Sequence, residues 1–303
     1  MWDNPDGLYE KVPAIVFGDH TRALKYVDMP FFIGADGVKV LRPAHAGDNV
    51  KYLFYVLQAA RIPNLGYSRH FKVLKELEIQ MYPRKMQDEI VRVLEQIDSL
   101  LEQQQNEILQ MDQLVKSRFV EMFGTIRANH FNYSIKTIAE ISSEIFAGGD
   151  KPQDCVAMPD AEHPYPVYAN GYENAGLQGY SKSCRVTRDA VTVSARGTIG
   201  YCFIRKGNFT PIVRLITVVP DGDITVEYLK EAIDLMEIKS SGTSQAQLTV
   251  PDFKKERLII PPLELQNRFA AFVAEVDKST LAVKQSLEKL ETLKKSLMQQ
   301  YFG

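Results

Sequence analysis

Arg196-Gly197-Thr198 places an arginine and a hydroxyl on either side of a glycine. In a tight turn these side chains can hold a phosphate or a guanine edge. An ordinary hairpin glycine accounts for the same three residues. Asn170, Gly171 and Tyr172 offer a second set, because an asparagine amide can read adenine through two bonds. An Asn-Gly pair selected only for its backbone fits equally well. Ser241, Thr243, Ser244 and Gln245 form a polar, hydrogen-bonding run suited to DNA contact. Lys182, Arg185, Arg188 and Arg214 are candidate phosphate contacts. His20, Arg22, Lys25, Arg69 and His70 form the equivalent basic set in the first part of the chain.

Catalytic patterns are scarce. Asn4-Pro5-Asp6 lacks the second proline and the aromatic of an amine-holding methyltransferase loop. No Gly-x4-Gly-Lys-Ser/Thr phosphate loop occurs. Pro159-Asp160-Ala-Glu162 and Pro251-Asp252-Phe-Lys254 resemble nuclease carboxylate clusters but lack the acid-x-Lys continuation, and read as turns. Cys155, Cys184 and Cys202 are too scattered for a disulfide framework or a zinc site. The chain is therefore expected to bind no metal and no cofactor itself, and to be no enzyme.

The 303 residues are 45% apolar and 24% charged, with a formal net charge of −2. This balance disfavours a protein that coats nucleic acid by charge alone, but permits a reader with a local basic surface. No signal peptide and no apolar run long enough to span a membrane is visible, so a cytoplasmic location is expected.

The elements that must position these residues come from an internal repeat. Residues 81–124 and 260–303 align without a gap. Pro83, Gln87, Asp98, Leu114, Lys116, Ser117, Phe123 and Gly124 fall on Pro262, Gln266, Asp277, Leu293, Lys295, Ser296, Phe302 and Gly303. In the first copy Ile90, Leu94, Ile97, Leu101, Ile108, Met111 and Leu114 recur at helical steps. In the second, Phe269, Val273, Val276, Val283, Leu287, Leu290, Leu293 and Leu297 do the same. Proline opens each helix and glycine closes it. Each is expected to run about 36 residues, or about 54 Å. A stripe that long needs a partner, and antiparallel pairing of the two copies as a coiled coil is the economical one. The alternative is a coil between chains.

Residues 125–259 read as a complete α+β domain. Strands are expected at 165–168, 190–194, 201–205 and 213–219, and a helix at 224–239. Residues 1–80 match only its later part: 52–57 (YLFYVL) aligns with 228–233 (YLKEAI), followed in each copy by a polar turn and an apolar strand. The first domain is thus expected to lack the counterpart of 125–176. The domain plan is 1–80, a partial first reader; 81–124, a spacer helix; 125–259, a complete reader; and 260–303, a second spacer helix.

Several motifs carry a resemblance. Tyr165-Pro-Val-Tyr-Ala-Asn-Gly171, Ser194-Ala-Arg-Gly-Thr-Ile-Gly200, Ser241-Gly-Thr-Ser-Gln-Ala-Gln-Leu248 and Ile259-Ile-Pro-Pro-Leu-Glu-Leu-Gln266 follow one another in order. Phe17-Gly-Asp-His-Thr-Arg22 and Gly66-Tyr-Ser-Arg-His70 look like variants in the first copy. The pattern resembles the DNA specificity subunit of type I restriction-modification systems. Members alternate two target-recognition domains with two helical regions.

The resemblance implies a non-catalytic subunit that binds double-stranded DNA. It implies two methyltransferase (modification) subunits that bring S-adenosylmethionine, and restriction subunits that bring ATP and Mg. Because the first domain looks truncated, a second copy or a complementing fragment is a further expected partner. Readers held about 50 Å apart would touch DNA sites about 15 base pairs apart, a bipartite target. The competing reading is a coiled-coil interaction or assembly protein that binds no DNA.

Overall fold

Pro83 and Pro262 each stand immediately before a 40-residue helix in a computed structural model of the chain. The structure describes residues 7–34, 37–66, 68–197, 199–236 and 247–303. Thr198, Ser241, Thr243, Ser244 and Gln245 lie outside the described residues, as do Asn4-Pro5-Asp6 and the expected helical positions 237–239. Contacts divide the chain into two units, residues 1–108 with 282–303, and residues 109–281.

In the first unit, β1 (Leu8–Tyr9) pairs with β4 (Phe31–Phe32), while β2 (Ala14–Gly18) lies between β3 (Leu24–Val27) and β5 (Val38–Leu41), antiparallel to both. Helix α1 (Val50–Ala59) starts where the Asn49 side chain accepts from Lys51 N–H and Tyr52 N–H, a side-chain N-cap. A short α2 (Phe71–Leu74) precedes α3 (Arg84–Phe123). Tyr52, Tyr55 and Val56 of α1 pack on Ile90, Val91 and Leu94 of α3, with Leu297, Met298, Tyr301 and Phe302 closing the cluster.

The second unit holds β6 (Ser134–Thr137), β7 (Ser142–Ala147), β8 (Tyr165–Tyr168), β9 (Leu177–Ser181), β10 (Ala190–Val193), β11 (Cys202–Arg205), β12 (Thr210–Pro211) and β13 (Ile216–Pro220). After them come α4 (Val226–Asp234), α5 (Val250–Phe253), β14 (Arg257–Ile260) and the start of α6 (Leu263–Phe302). One sheet has the order β11-β10-β13-β7, all antiparallel, a second is β12-β8-β9, and β14 pairs with β6. The order β11-β10-β13 matches β3-β2-β5 of the first unit. Among the described residues, β7 has no counterpart there. The mixture of strands and helices, each set followed by a long helix, is the α+β class read from the sequence.

The repeat extends to hydrogen bonds. Gln87 is fully buried; its amide oxygen accepts from Asn49 N–H, and its nitrogen donates to Tyr82 C=O and to the Asp48 carboxylate. Gln266, also fully buried, accepts from Thr225 N–H and donates to Pro261 C=O and Asp223 C=O. Asn49 and Thr225 are the N-caps of α1 and α4. In both units one glutamine thus ties the start of a long helix to the start of a short one. Tyr52 and Tyr228 repeat the pattern, donating to the carbonyls of Gln80 and Ile259.

Each unit also contains parts of both long helices. In the first, Asp98 of α3 faces Lys294 of α6 and Gln104 faces Ser286. In the second, Met111 meets Thr280, and Phe119 meets Phe269. Within each unit the α3 numbers rise as the α6 numbers fall. The expected stripe is corrected at one equivalent pair: Leu114 and Leu293 are about half exposed, and the buried seam of α3 runs instead through Val115, Phe119 and Phe123.

Two local expectations are also corrected. Residues 213–215 are not strand, because Val213 and Arg214 adopt left-handed φ of 51° and 60°, and β13 starts only at Ile216. The helix expected over 224–239 starts after the Thr225 cap and ends at Asp234. Among the described residues no helix is long and apolar enough to cross a membrane.

Candidate nucleic-acid interface

Strand β8 delivers the chain to a loop that starts with Asn170-Gly171-Tyr172. Asn174, Ala175 and Gly176 are all left-handed, with φ of 46°, 50° and 76°. Gly176 is required, since a Cβ there would lie 2.3 Å from the Ala169 carbonyl oxygen. Arg205 supports this loop. It is 5% exposed, its guanidinium lies 3.7 Å from the Tyr168 ring centroid, and it donates to Ala175 C=O and Thr192 Oγ1. Desolvation lowers its pKa to about 10, so it is still charged at neutral pH. A buried arginine stacked on an aromatic face gains cation–π attraction where it has lost water.

Asn170 has a different task from the one its chemistry suggested. Its Oδ1 accepts from Ala195 N–H at 2.8 Å and its Nδ2 donates to Val213 C=O at 2.7 Å. These two bonds take up one acceptor site and one donor of the amide and fix its orientation in the protein. Tyr172 and Tyr201 meet edge to face at 5.2 Å, and they are 64% and 49% exposed. Their faces are the open aromatic surface beside the loop.

The β10–β11 turn closes through Ser194 N–H to Tyr201 C=O and Gly200 N–H to Ser194 C=O. Gly197 takes φ 69° within it. Arg196 donates to Gln247 Oε1 at 3.0 Å. Nearby, Val213 and Arg214 hold their left-handed turn by donating from their amides to Gly149 and Gly148 carbonyls, at 2.7 and 3.0 Å. A left-handed β-branched residue costs on the order of 1–3 kcal/mol and persists only when its surroundings enforce it. Gly148 is part of that enforcement, because a Cβ there would sit 2.7 Å from the Pro211 and Ile212 backbone. Lys151, Arg196 and Arg214 line one depression of about 360 Å3 together with Gly148, Gly149, Asp150 and Val213.

The structure therefore brings Asn170, Arg196, Gly197 and Arg214 to one place, with Gly171 and Tyr172 in the adjoining loop. Lys151 joins them without having been expected. The Gly148-Gly149-Asp150-Lys151 sequence, a glycine pair leading to a cation, was the available signal. The remaining expected phosphate contacts have partners elsewhere: Lys182 with Glu162 at 2.7 Å, Arg185 over the Phe146 ring, and Arg188 with Ser143 and Glu144; Lys151 itself reaches Gln178 C=O at 3.4 Å.

In the first unit the β2–β3 turn repeats the β10–β11 closure, with Gly18 N–H to Ala23 C=O and Arg22 N–H to Gly18 C=O. His20, Lys25 and Arg69 are exposed, and Arg22 donates to Ile62 C=O. His70 is a correction to the expected basic set. It is fully buried; Nε2 accepts from Leu65 N–H, which leaves Nδ1–H to donate to Asp19 C=O. Both ring nitrogens are spent, so His70 fixes the loop and cannot touch DNA in this conformation.

A two-copy α+β plan with polar turns at the ends of its sheets defines the class, and comparison with known proteins gives the family. Residues 132–292 match the model for the type I restriction modification DNA specificity domain. This chain belongs to that family. It is 27% identical over 245 residues to the putative type I specificity subunit S.MpnORF507P of Mycoplasma pneumoniae, covering 79% of this chain and 68% of the relative. It is 35% identical over 136 residues to S.MpnORF89P of the same organism, covering 45% of this chain and 41% of that one. The S subunit of the type I system from M. genitalium superposes with a TM-score of 0.56 at 18% identity, covering 98% of this chain and 85% of that chain. A chain from a structure of type I R-M complex assembly gives 0.58 at 15% identity, with coverage of 99% and 84%. At these identities the likeness establishes the fold.

Proposed function

We propose that this chain is the sequence-reading, non-catalytic subunit of a type I restriction-modification complex and directs modification and restriction subunits to a bipartite DNA site. The observation that carries the reading is the duplicated joint. Gln87 with Tyr52, and Gln266 with Tyr228, each tie one short helix to the start of a long helix and to the segment that leads into it. Two readers on two helices, paired as a coiled coil, suit a target of two short motifs separated by unread sequence. The turns around Arg196–Gly197 and Arg214, and the loop of Gly171 and Tyr172, are the DNA-facing candidates in the second unit. His20, Arg22, Lys25 and Arg69 are those of the first. Two modification subunits would dock on the helices and supply S-adenosylmethionine; restriction subunits would supply ATP and Mg.

Copurification with a modification subunit, followed by sequencing of the methylated genome, tests this reading. A bipartite adenine mark that disappears when the chain is deleted is the expected result. Methylation that does not depend on the chain would overturn it and favour a DNA-independent assembly protein.

A further inference from the structure

Asn170 carries a function that its position in a polar Asn-Gly turn does not announce. Its two amide ends join three separate stretches of chain: its own loop, the β10–β11 turn through Ala195 N–H, and the left-handed turn through Val213 C=O. The residues immediately after those two contact points are Arg196 and Arg214. Both line the depression that also receives Lys151. Among the described residues the Arg214 side chain has no hydrogen-bond or ion-pair partner, and it is exposed. Asp150 is the one acidic side chain in the lining, against three cations. Gly149 leaves the floor open, since a Cβ added there would meet no atom within 4 Å.

We propose that this depression seats a backbone phosphate of the DNA, held by Lys151, Arg196 and Arg214, and that Asn170 is the positioning residue that brings the two arginines together. The inference rests on the DNA-reading function above. The two anionic oxygens of a phosphodiester, sharing one negative charge, match guanidinium and ammonium donors, which bind phosphate by charge-assisted hydrogen bonds. Phosphate contacts fix register on the duplex and carry no sequence information themselves. Asn170 thereby acts without touching a base.

The test measures binding of the full chain to a random-sequence duplex over a range of salt concentrations. Lys151→Ala and Arg214→Ala should each weaken binding uniformly and reduce the slope of log affinity against log salt by about one. The double variant should reduce it no further, because both cations serve one phosphate. Asn170→Ala should reproduce that loss although it removes no charge. Gly149→Asp, which has room for its side chain, should do the same by placing a carboxylate in the seat. Circular dichroism and thermal melting of each variant show whether the fold is retained. Unchanged slopes in Lys151→Ala, Arg214→Ala and Gly149→Asp, with the unaltered chain binding steeply, would overturn the seat and leave the DNA-reading function standing. If Asn170→Ala instead keeps the slope and relaxes a single A·T preference in selection from a random duplex pool, Asn170 reads a base and the positioning role is wrong. Absence of salt-dependent binding by the unaltered chain would overturn the DNA-reading function, and the seat with it.

Discussion

Gln87 and Gln266 are identical residues at equivalent positions of a repeat, and the sequence offers no more than that identity. Their work is visible only where each side chain, itself fully buried, fills three hydrogen bonds at the joint. Removing such a side chain strands buried backbone groups, which costs more than the bonds gain on average. Gln266→Ala should therefore lower the unfolding free energy by about 3 kcal/mol, read from the urea midpoint. Asn170 and His70 teach the complementary lesson. Residue type told which bonds each can form, but not that backbone groups distant in sequence would take them. Partner choice depends on tertiary proximity, which a one-dimensional pattern does not encode.

At the scale of elements, periodicity located both long helices, their opening prolines and their closing glycines; Gly124 takes φ 75° as a helix-ending residue should. It misplaced Leu114 and Leu293, because a helical stripe drifts around the helix and Val115 lies within a residue of the expected seam. Phe123 is fully buried against Tyr228 at 5.0 Å. Phe123→Ala should cost about 3–5 kcal/mol, whereas Leu114→Ala should cost less than about 0.5 kcal/mol. Denaturation of the two variants side by side checks the contrast. The β6–β7 turn adds a pH signature. Hydrogen bonds from Thr137 N–H and Thr137 Oγ1 to the Glu140 carboxylate hold its pKa below the usual glutamate range. A depressed folded pKa means this stabilisation is present above the unfolded value and is lost as pH falls through the lower folded one. Side-chain NMR titration of Glu140 should give a midpoint below that of an unstructured peptide, and Thr137→Ala should raise it.

For the molecule as a whole, the two-copy plan was legible because 44-residue segments align without a gap, and gapless alignment over that length constrains both copies to one structure. The family resemblance rested on motif order along the same repeat. The two-unit division was not legible, since it cuts both helices. The first unit is closed by Leu297, Met298, Tyr301 and Phe302, which cover Tyr52, Tyr55 and Leu94. Truncation after residue 296 should accordingly raise hydrogen exchange in α1 while leaving α4 protected, as mass spectrometry of peptides from the two helices would show.

The discontinuity of that first unit bears on how the protein is made. Residues 1–108 leave the ribosome first, yet their core needs 282–303, so their folding is held open by long-range contacts. The unit formed by 109–281 has all its residues at hand sooner. Maturation is thus expected to run against the direction of synthesis, the unit of 109–281 acquiring its shape before the one that contains 1–108, and protease protection of stalled nascent chains should appear in that order.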